Sequence, residues 1–233
     1  MSTETESALD YCLKITLPGS KPPVWRRLQA ACSITLNDLH LMLQILMNWE
    51  KRYPHQFDDG LFWYGPDFTD DFGEFVPGGQ DDTQTPLTEV ASQAGARFDY
   101  NYRLDSLTLE GLWLLRIQLE EILPVAGGLR TPLCLSGRRA GPPEHFSGIL
   151  DYQDCLTAYQ DRQSPRHHAA CRLLGADYDP EAFNIDEVNR RLAIFETFRH
   201  QPERWRHDPS ELLAAGRPPR GGRWLYGTRS RRS

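Results

Sequence analysis

Residues Tyr11 to Met47, YCLKITLPGSKPPVWRRLQAACSITLNDLHLMLQILM, decide the fold, because a two-residue period gives way to a helical one within them. In YCLKITL, Tyr11, Leu13, Ile15 and Leu17 fall on one side and Cys12, Lys14 and Thr16 on the other, the mark of a half-buried strand. PGSKPP ends it. VWRRLQAAC, Val24 to Cys32, has strand propensity, but Arg26 shares a face with Val24 and Leu28, so the alternation is not clean. An arginine buried there needs a carboxylate or carbonyl partner. Thr35 with Asp38 three residues on then forms an approximate capping box, and Leu36, Leu39, Leu43, Leu46 and Met47 make an apolar stripe. That predicts a helix from about Leu36 to Asn48.

Working outward, Gln56 to Tyr64 reads as one strand-like stretch, followed by an acidic, glycine-rich connection to about Thr83. Phe98 to Leu104 sets Phe98, Tyr100 and Tyr102 against Asp99, Asn101 and Arg103, and Gly111 to Glu120 is strongly apolar, so the two read as long paired strands. A short strand, PLCLSG, follows Pro132 and leads into the turn GPPEHFSG. Helices are expected at about Tyr152 to Gln160, Arg166 to Leu174 and Ile185 to Phe198, the last capped by Asn184 with Glu187. Strands first and helices last argue for an α+β fold, a mainly antiparallel or mixed sheet packed by helices in one main domain, residues 10–198. Residues 1–9 read as a disordered N-terminus and 199–233 as an arginine-rich C-terminal extension holding one short helix signal, DPSELLAAG.

The 233 residues are 39% hydrophobic without glycine and 25% charged. This is the composition of a folded domain rather than a disordered chain. No apolar run approaches the ~18 residues of a membrane span, and MSTETESALD has neither a basic nor an apolar signal region, so a soluble cytoplasmic protein without membrane contact is expected. Five widely spaced cysteines read as reduced core thiols. The net charge of −6 divides unevenly, with −12 up to Phe198 and +6 from Arg199 onward. Nine acids and no basic residue lie between Arg52 and Arg97. In the extension, Arg204, Arg206, Arg217, Arg220, Arg223, Arg229, Arg231 and Arg232 with Trp224 are candidates for nucleic acid, since arginines release counterions from phosphates and aromatics stack on bases. The competing reading is a solvated tail that folds back on the acidic stretch.

PPVWRR (Pro22 to Arg27), TLNDLHLMLQILMNW (Thr35 to Trp49) and HQF (His55 to Phe57) resemble the signature of the plasmid pRiA4b ORF-3-like family. LSGRRAGPPEHFSGILDY (Leu135 to Tyr152) is similar to that family's G-x-R-A-x-P-P-E-D segment, and DYDPEAFNIDEVNRRL (Asp177 to Leu192) to its close. The resemblance covers roughly residues 10 to 195. It implies an α+β fold, occurrence on plasmids and as a passenger of insertion sequences, a resolvase-like label that rests on that association alone, and no established activity. Family members carry Y-x-Y-D-F-G-D-x-W-x-H in a central strand pair. Here Tyr100 and Tyr102 remain, Arg103 replaces the first aspartate, Asp105 keeps one acid and no histidine follows; His145 stands where an aspartate is usual.

Two functional readings stand. The first is a non-catalytic interaction module of a mobile genetic element, without a cofactor, that binds a protein partner, with Trp25, Arg26 and Arg27 as an anion or partner anchor. Adjacent strand residues point to opposite faces, so Arg26 and Arg27 cannot both serve one site. In the packing alternative one arginine pairs internally with Glu144 or Asp179 and Trp25 caps the core. The second reading is a divalent-metal-dependent enzyme acting on phosphodiesters, centred on His55, Asp105, Glu144 and His145, with His55, Glu144 and His145 as metal ligands if their loops meet. No pair of these has a recognised ligand spacing. His40 is expected at the core edge, hydrogen-bonded to backbone, and the adjacent His167 and His168 point about 100° apart on a helix.

Overall fold

The computed structural model describes residues 9–66, 79–102, 112–124 and 132–199. Of the N-terminal stretch 1–9 expected to be disordered, residues up to Ala8 lie outside the described residues and Leu9 already opens the first strand. The candidate Asp105, the helix signal DPSELLAAG and every arginine from Arg204 onward with Trp224 also lie outside the described residues.

The elements are β1 (Leu9–Leu17), β2 (Val24–Ala31), α1 (Leu36–Met47), β3 (His55–Asp58), β4 (Trp63–Gly65), β5 (Gly79–Asp81), α2 (Leu87–Val90), β6 (Arg97–Tyr102), β7 (Trp113–Pro124), β8 (Leu133–Arg138), α3 (Gly148–Gln160), α4 (His167–Leu174) and α5 (Ile185–Arg199). Among the described residues the strands form one mixed sheet in the order β5-β4-β3-β6-β7-β1-β2-β8. Every pairing is antiparallel except β4 with β5. This is the single-domain α+β architecture expected from the pattern.

The period of two is kept across the sheet. Leu13, Ile15 and Leu17, Val24 and Leu28, Phe98, Tyr100 and Tyr102, and Trp113, Leu115, Ile117 and Leu119 are all buried on one face. Residues of opposite parity on the same strands are mostly half-buried or exposed. β2 alternates cleanly after all, and Arg26 is one of its buried positions. α1 lies on the inner face, started by the expected box: Asp38 N donates to Thr35 Oγ1, and Thr35 N donates to the Asp38 carboxylate. It ends at Asn48 in the left-handed region, φ 60°, where Trp49 N returns to Gln44 O. Trp113 meets Tyr152 of α3 edge-on, so α3 joins the same layer.

Gln56 to Tyr64 is not one strand but a hairpin. β3 and β4 are joined at Asp59 and Gly60, where Asp59 Oδ1 accepts from Leu61 N and Phe62 N and Gly60 takes φ +89°. The Asp-Gly pair is the turn signal that breaks the run.

An edge strand needs protection from strand addition. At β8 this comes from α5: Cys134 N donates to Asn189 Oδ1 at 2.7 Å and Asn189 Nδ2 donates to Cys134 O at 3.1 Å, so one carboxamide stands where a neighbouring strand would. Asn189→Leu leaves both backbone groups without a partner and is expected to cost about 1–3 kcal/mol. Urea unfolding gives the loss and sedimentation shows whether the opened edge self-associates; an unchanged unfolding midpoint would show that the amide does not hold the edge. No helix among the described residues is long and apolar enough to cross a membrane.

Candidate functional site

The inner face of β2 delivers Arg26 to the C-terminal end of α1. Its Nε donates to Leu46 O at 3.0 Å, Nη1 to Trp25 O at 2.8 Å and Arg138 O at 2.9 Å, and Nη2 to Arg139 O at 2.8 Å. The ring of Phe183 lies 4.2 Å from the guanidinium carbon. Burial pushes its pKa down to about 10, so the side chain is still a cation at neutral pH. One of its acceptors is in the last turn of α1, where the helix dipole favours positive charge. The internal partner of this arginine is thus a set of four carbonyls rather than Glu144 or Asp179. A carboxylate would satisfy at most one edge of the fork, whereas the carbonyls surround it. Gly137 permits the approach, since a Cβ there would come within 2.8 Å of Phe183 and of Arg26 itself.

The PPEH turn is fastened to the same end of α1. Trp49 Nε1 donates to Pro142 O at 2.8 Å, and a Cβ on Gly141 would collide with the backbone of Met47. Glu144 is buried, and its Oε2 accepts from Tyr102 Oη and Glu50 N, each at 2.9 Å. Its Oε1 lies 3.0 Å from Arg52 Nε, and Arg52 also pairs with Glu50. Burial and the adjacent Glu144 carboxylate push the Tyr102 phenol up, keeping it the donor. Trp49 stacks on Tyr102 with centroids 4.9 Å apart. Asn48, opposite, accepts from Arg191 Nη1 of α5 at 3.0 Å.

These contacts frame a cleft of about 770 Å³. Its walls are the segment after α1 with Asn48, Glu50 and Arg52, the turn from Gly141 to His145, and the stretch from Leu174 to Arg191 that joins α4 to α5.

A second polar cluster is sealed under α1. The rings of His40 and His55 stack with centroids 3.5 Å apart and planes 6° apart. His55 Nε2 meets Asp82 Oδ2 at 2.7 Å. His40 Nδ1 meets Tyr100 Oη at 2.7 Å, and Tyr100 Oη also accepts from Gln44 Nε2 at 2.9 Å. The His40 Nδ1–Tyr100 Oη bond holds one proton between the two atoms, and His40 Nε2 is buried without a hydrogen-bond partner among the described residues. Burial first, then the neighbouring His55, holds the His40 pKa well below the ordinary imidazole value. Burial lowers that of His55 as well, against the opposing pull of Asp82. His40 is wholly buried and bonds to a side chain, not at the core edge to backbone as expected, because β6 places the Tyr100 phenol beneath α1.

Arg26 lines the cleft, whereas Trp25 and Arg27 point to the other face of the sheet, where Arg27 Nε donates to Glu120 Oε2 at 2.6 Å. His145 is exposed on the cleft rim with its ring beside Phe146. His55 is on β3 and Glu144 in the turn between β8 and α3, and they serve separate networks, Asp82 for one and Tyr102 with Arg52 for the other. Parallel imidazoles aim their in-plane nitrogens side by side rather than at one point. Among the described residues no three of His, Cys, Asp or Glu are grouped to hold a metal ion. His167 Nδ1 donates to Ala158 O at 3.2 Å and its Nε2 lies 3.5 Å from Cys171 Sγ, with the His168 ring 5.9 Å away. Asp82, Gln44, Asn48 and Arg191 were not legible as site residues, since nothing local marks one acid in an acidic stretch, or one arginine in a helix, as buried.

The sequence profile of the plasmid pRiA4b ORF-3-like proteins matches residues 10–187. The crystal structure of a protein of unknown function from Methanosarcina mazei Go1 is similar, at 25% sequence identity and a TM-score of 0.65, over 78% of this chain and 98% of that one. No curated protein matches.

Proposed function

The chain belongs to the plasmid pRiA4b ORF-3-like family, which fixes no activity, and from its own geometry we propose that it is a non-catalytic binding module whose ligand seat is the cleft. One observation carries the reading. Four of the five sequence stretches that resemble the family, distant along the chain, send residues to this single cleft: Arg26 from PPVWRR, Asn48 near the end of the stretch that holds α1, Gly141 to His145 from the turn after β8, and Asp179 to Arg191 from the last, while HQF goes to the cluster under α1. Core packing alone would not gather them around an opening.

The polar groups at the seat support binding over catalysis. Glu144 is committed to Tyr102, Glu50 and Arg52, and Arg26 to four carbonyls, so both build the walls and neither is poised for proton transfer. The cleft is within the ~300–1,000 Å³ of ordinary ligand sites. Its open, mixed-charge walls suit a segment of a partner protein, in keeping with service to a mobile element, the setting suggested by the plasmid origin of the family's description.

A photo-crosslinking benzoylphenylalanine at His145, expressed in the native host, is expected to yield a discrete adduct that Arg52→Glu abolishes. The same probe at Arg116, on the opposite face, should not yield that adduct. Identical adducts from both positions, or none from His145, would remove the cleft as the seat.

A further inference from the structure

Strand register places on the outer face of the sheet a basic surface that the linear sequence hides. Across one row, Arg138 of β8 pairs with Trp25 of β2, then Thr16 of β1, Arg116 of β7 and Asp99 of β6. The next row runs Ser136, Arg27, Lys14, Gln118 and Arg97. Ten positions on five adjacent strands thus hold five cations and one acid, in a chain whose net charge is −6. All ten are half-buried or exposed, and the helices that pack on the sheet lie against the other face.

We infer that this face binds single-stranded nucleic acid across the strands. Five strands at ~4.8 Å spacing give a basic band about 19 Å wide, with its two rows about 7 Å apart. A band of that size can follow several successive phosphates, whereas an acidic peptide would need its carboxylates at matching intervals. Two of the cations are in ion pairs, Arg27 with Glu120 and Arg116 with Asp99, at side-chain exposures of 37% and 54% for the arginines. Exposed pairs of this kind are weak enough for a phosphate to take over the arginine. Trp25 sits in its row between Arg138 and Thr16 with the Arg27 guanidinium 5.8 Å from its ring, a flat surface for an unpaired base. That surface is what selects a single strand, because a duplex keeps its base faces stacked. On the far side of the second row, Glu120 and Glu121 of β7 bound the band and direct the strand to the Trp25 side.

The test uses the full chain and a fluorescein-labelled 12-residue oligothymidylate, followed by anisotropy at several salt concentrations. Lys14→Glu, Arg97→Glu and Arg138→Glu together are expected to weaken binding at least tenfold. The slope of log Kd against log salt should flatten by about 2, as three lost phosphate contacts predict. The three glutamine substitutions at the same positions give a smaller loss in the same direction, which guards against misfolding of the reversed-charge protein. Replacing Arg229, Arg231 and Arg232 by glutamine should leave the difference between parent and sheet variant in place. Unchanged binding by the sheet variants, no salt-dependent binding by the parent, tighter binding of a 12-base-pair duplex, or binding only to phosphatidylserine vesicles would each overturn the inference.

Discussion

Arg26→Met is expected to lower the stability of the fold by about 3–5 kcal/mol, the cost typical of removing one partner from a buried charged network. The loss falls on the acceptors. Leu46, Trp25, Arg138 and Arg139 would each leave a carbonyl with one bond fewer, and an unsatisfied buried group costs about 1–3 kcal/mol. Water from the cleft can relieve some of them, which is why the four do not add in full. Against a total stability of about 5–15 kcal/mol, this is a large fraction. Arg26→Lys keeps the charge but replaces a planar fork by a point, so it should recover only part of the loss. Urea unfolding of the three proteins decides the matter. A methionine variant within 1 kcal/mol of the parent would show that the carbonyls find other donors.

The stacked imidazoles make a second prediction. His40 and His55 have folded-state pKa values below those of the unfolded chain, so between the folded value and the ordinary ~6.5 the unfolded chain binds more protons. Their stabilising contribution is therefore complete above about pH 6.5 and is lost as the pH falls below it. Each imidazole that stays neutral contributes a slope of about 1.4 kcal/mol per pH unit in that window. The contribution of His55 is smaller, because Asp82 favours its charged form. Unfolding curves for the parent and His40→Phe at pH 7.5 and 5.0 should differ in slope, the phenylalanine protein flattening while its ring keeps the stack. Parallel pH dependences would exclude the pair as the source of acid sensitivity.

What could be read without coordinates was local. The box at Thr35, the stripe of α1 and the parity of β1 depend on residues a few positions apart, and all three are as the sequence implies. The same parity argument placed Arg26 inside with a need for partners, but could not say which, because Leu46, Arg138 and Arg139 come from two other elements. The hairpin at Asp59 and Gly60 was hidden by an apolar run, although its turn residues were in view. The long-range features left no local trace. His40 meets His55 from another element, Asn189 meets Cys134 at a distance of 55 residues, and the five cations of the outer face align only once β1, β2, β6, β7 and β8 are in register.

The strand order also bears on the order of events during synthesis. β1 is central in the sheet, yet one of its two neighbours, β7, begins about a hundred residues after β1 ends. At ~5–20 residues per second, a nascent β1–β2 hairpin waits about 5–20 s on the ribosome with one side unpaired before β7 can reach it. During that interval α1, already emerged, can cover the apolar face but not the open backbone edge. The assembling chain is thus most vulnerable to wrong pairing at what becomes the most protected place in the finished protein.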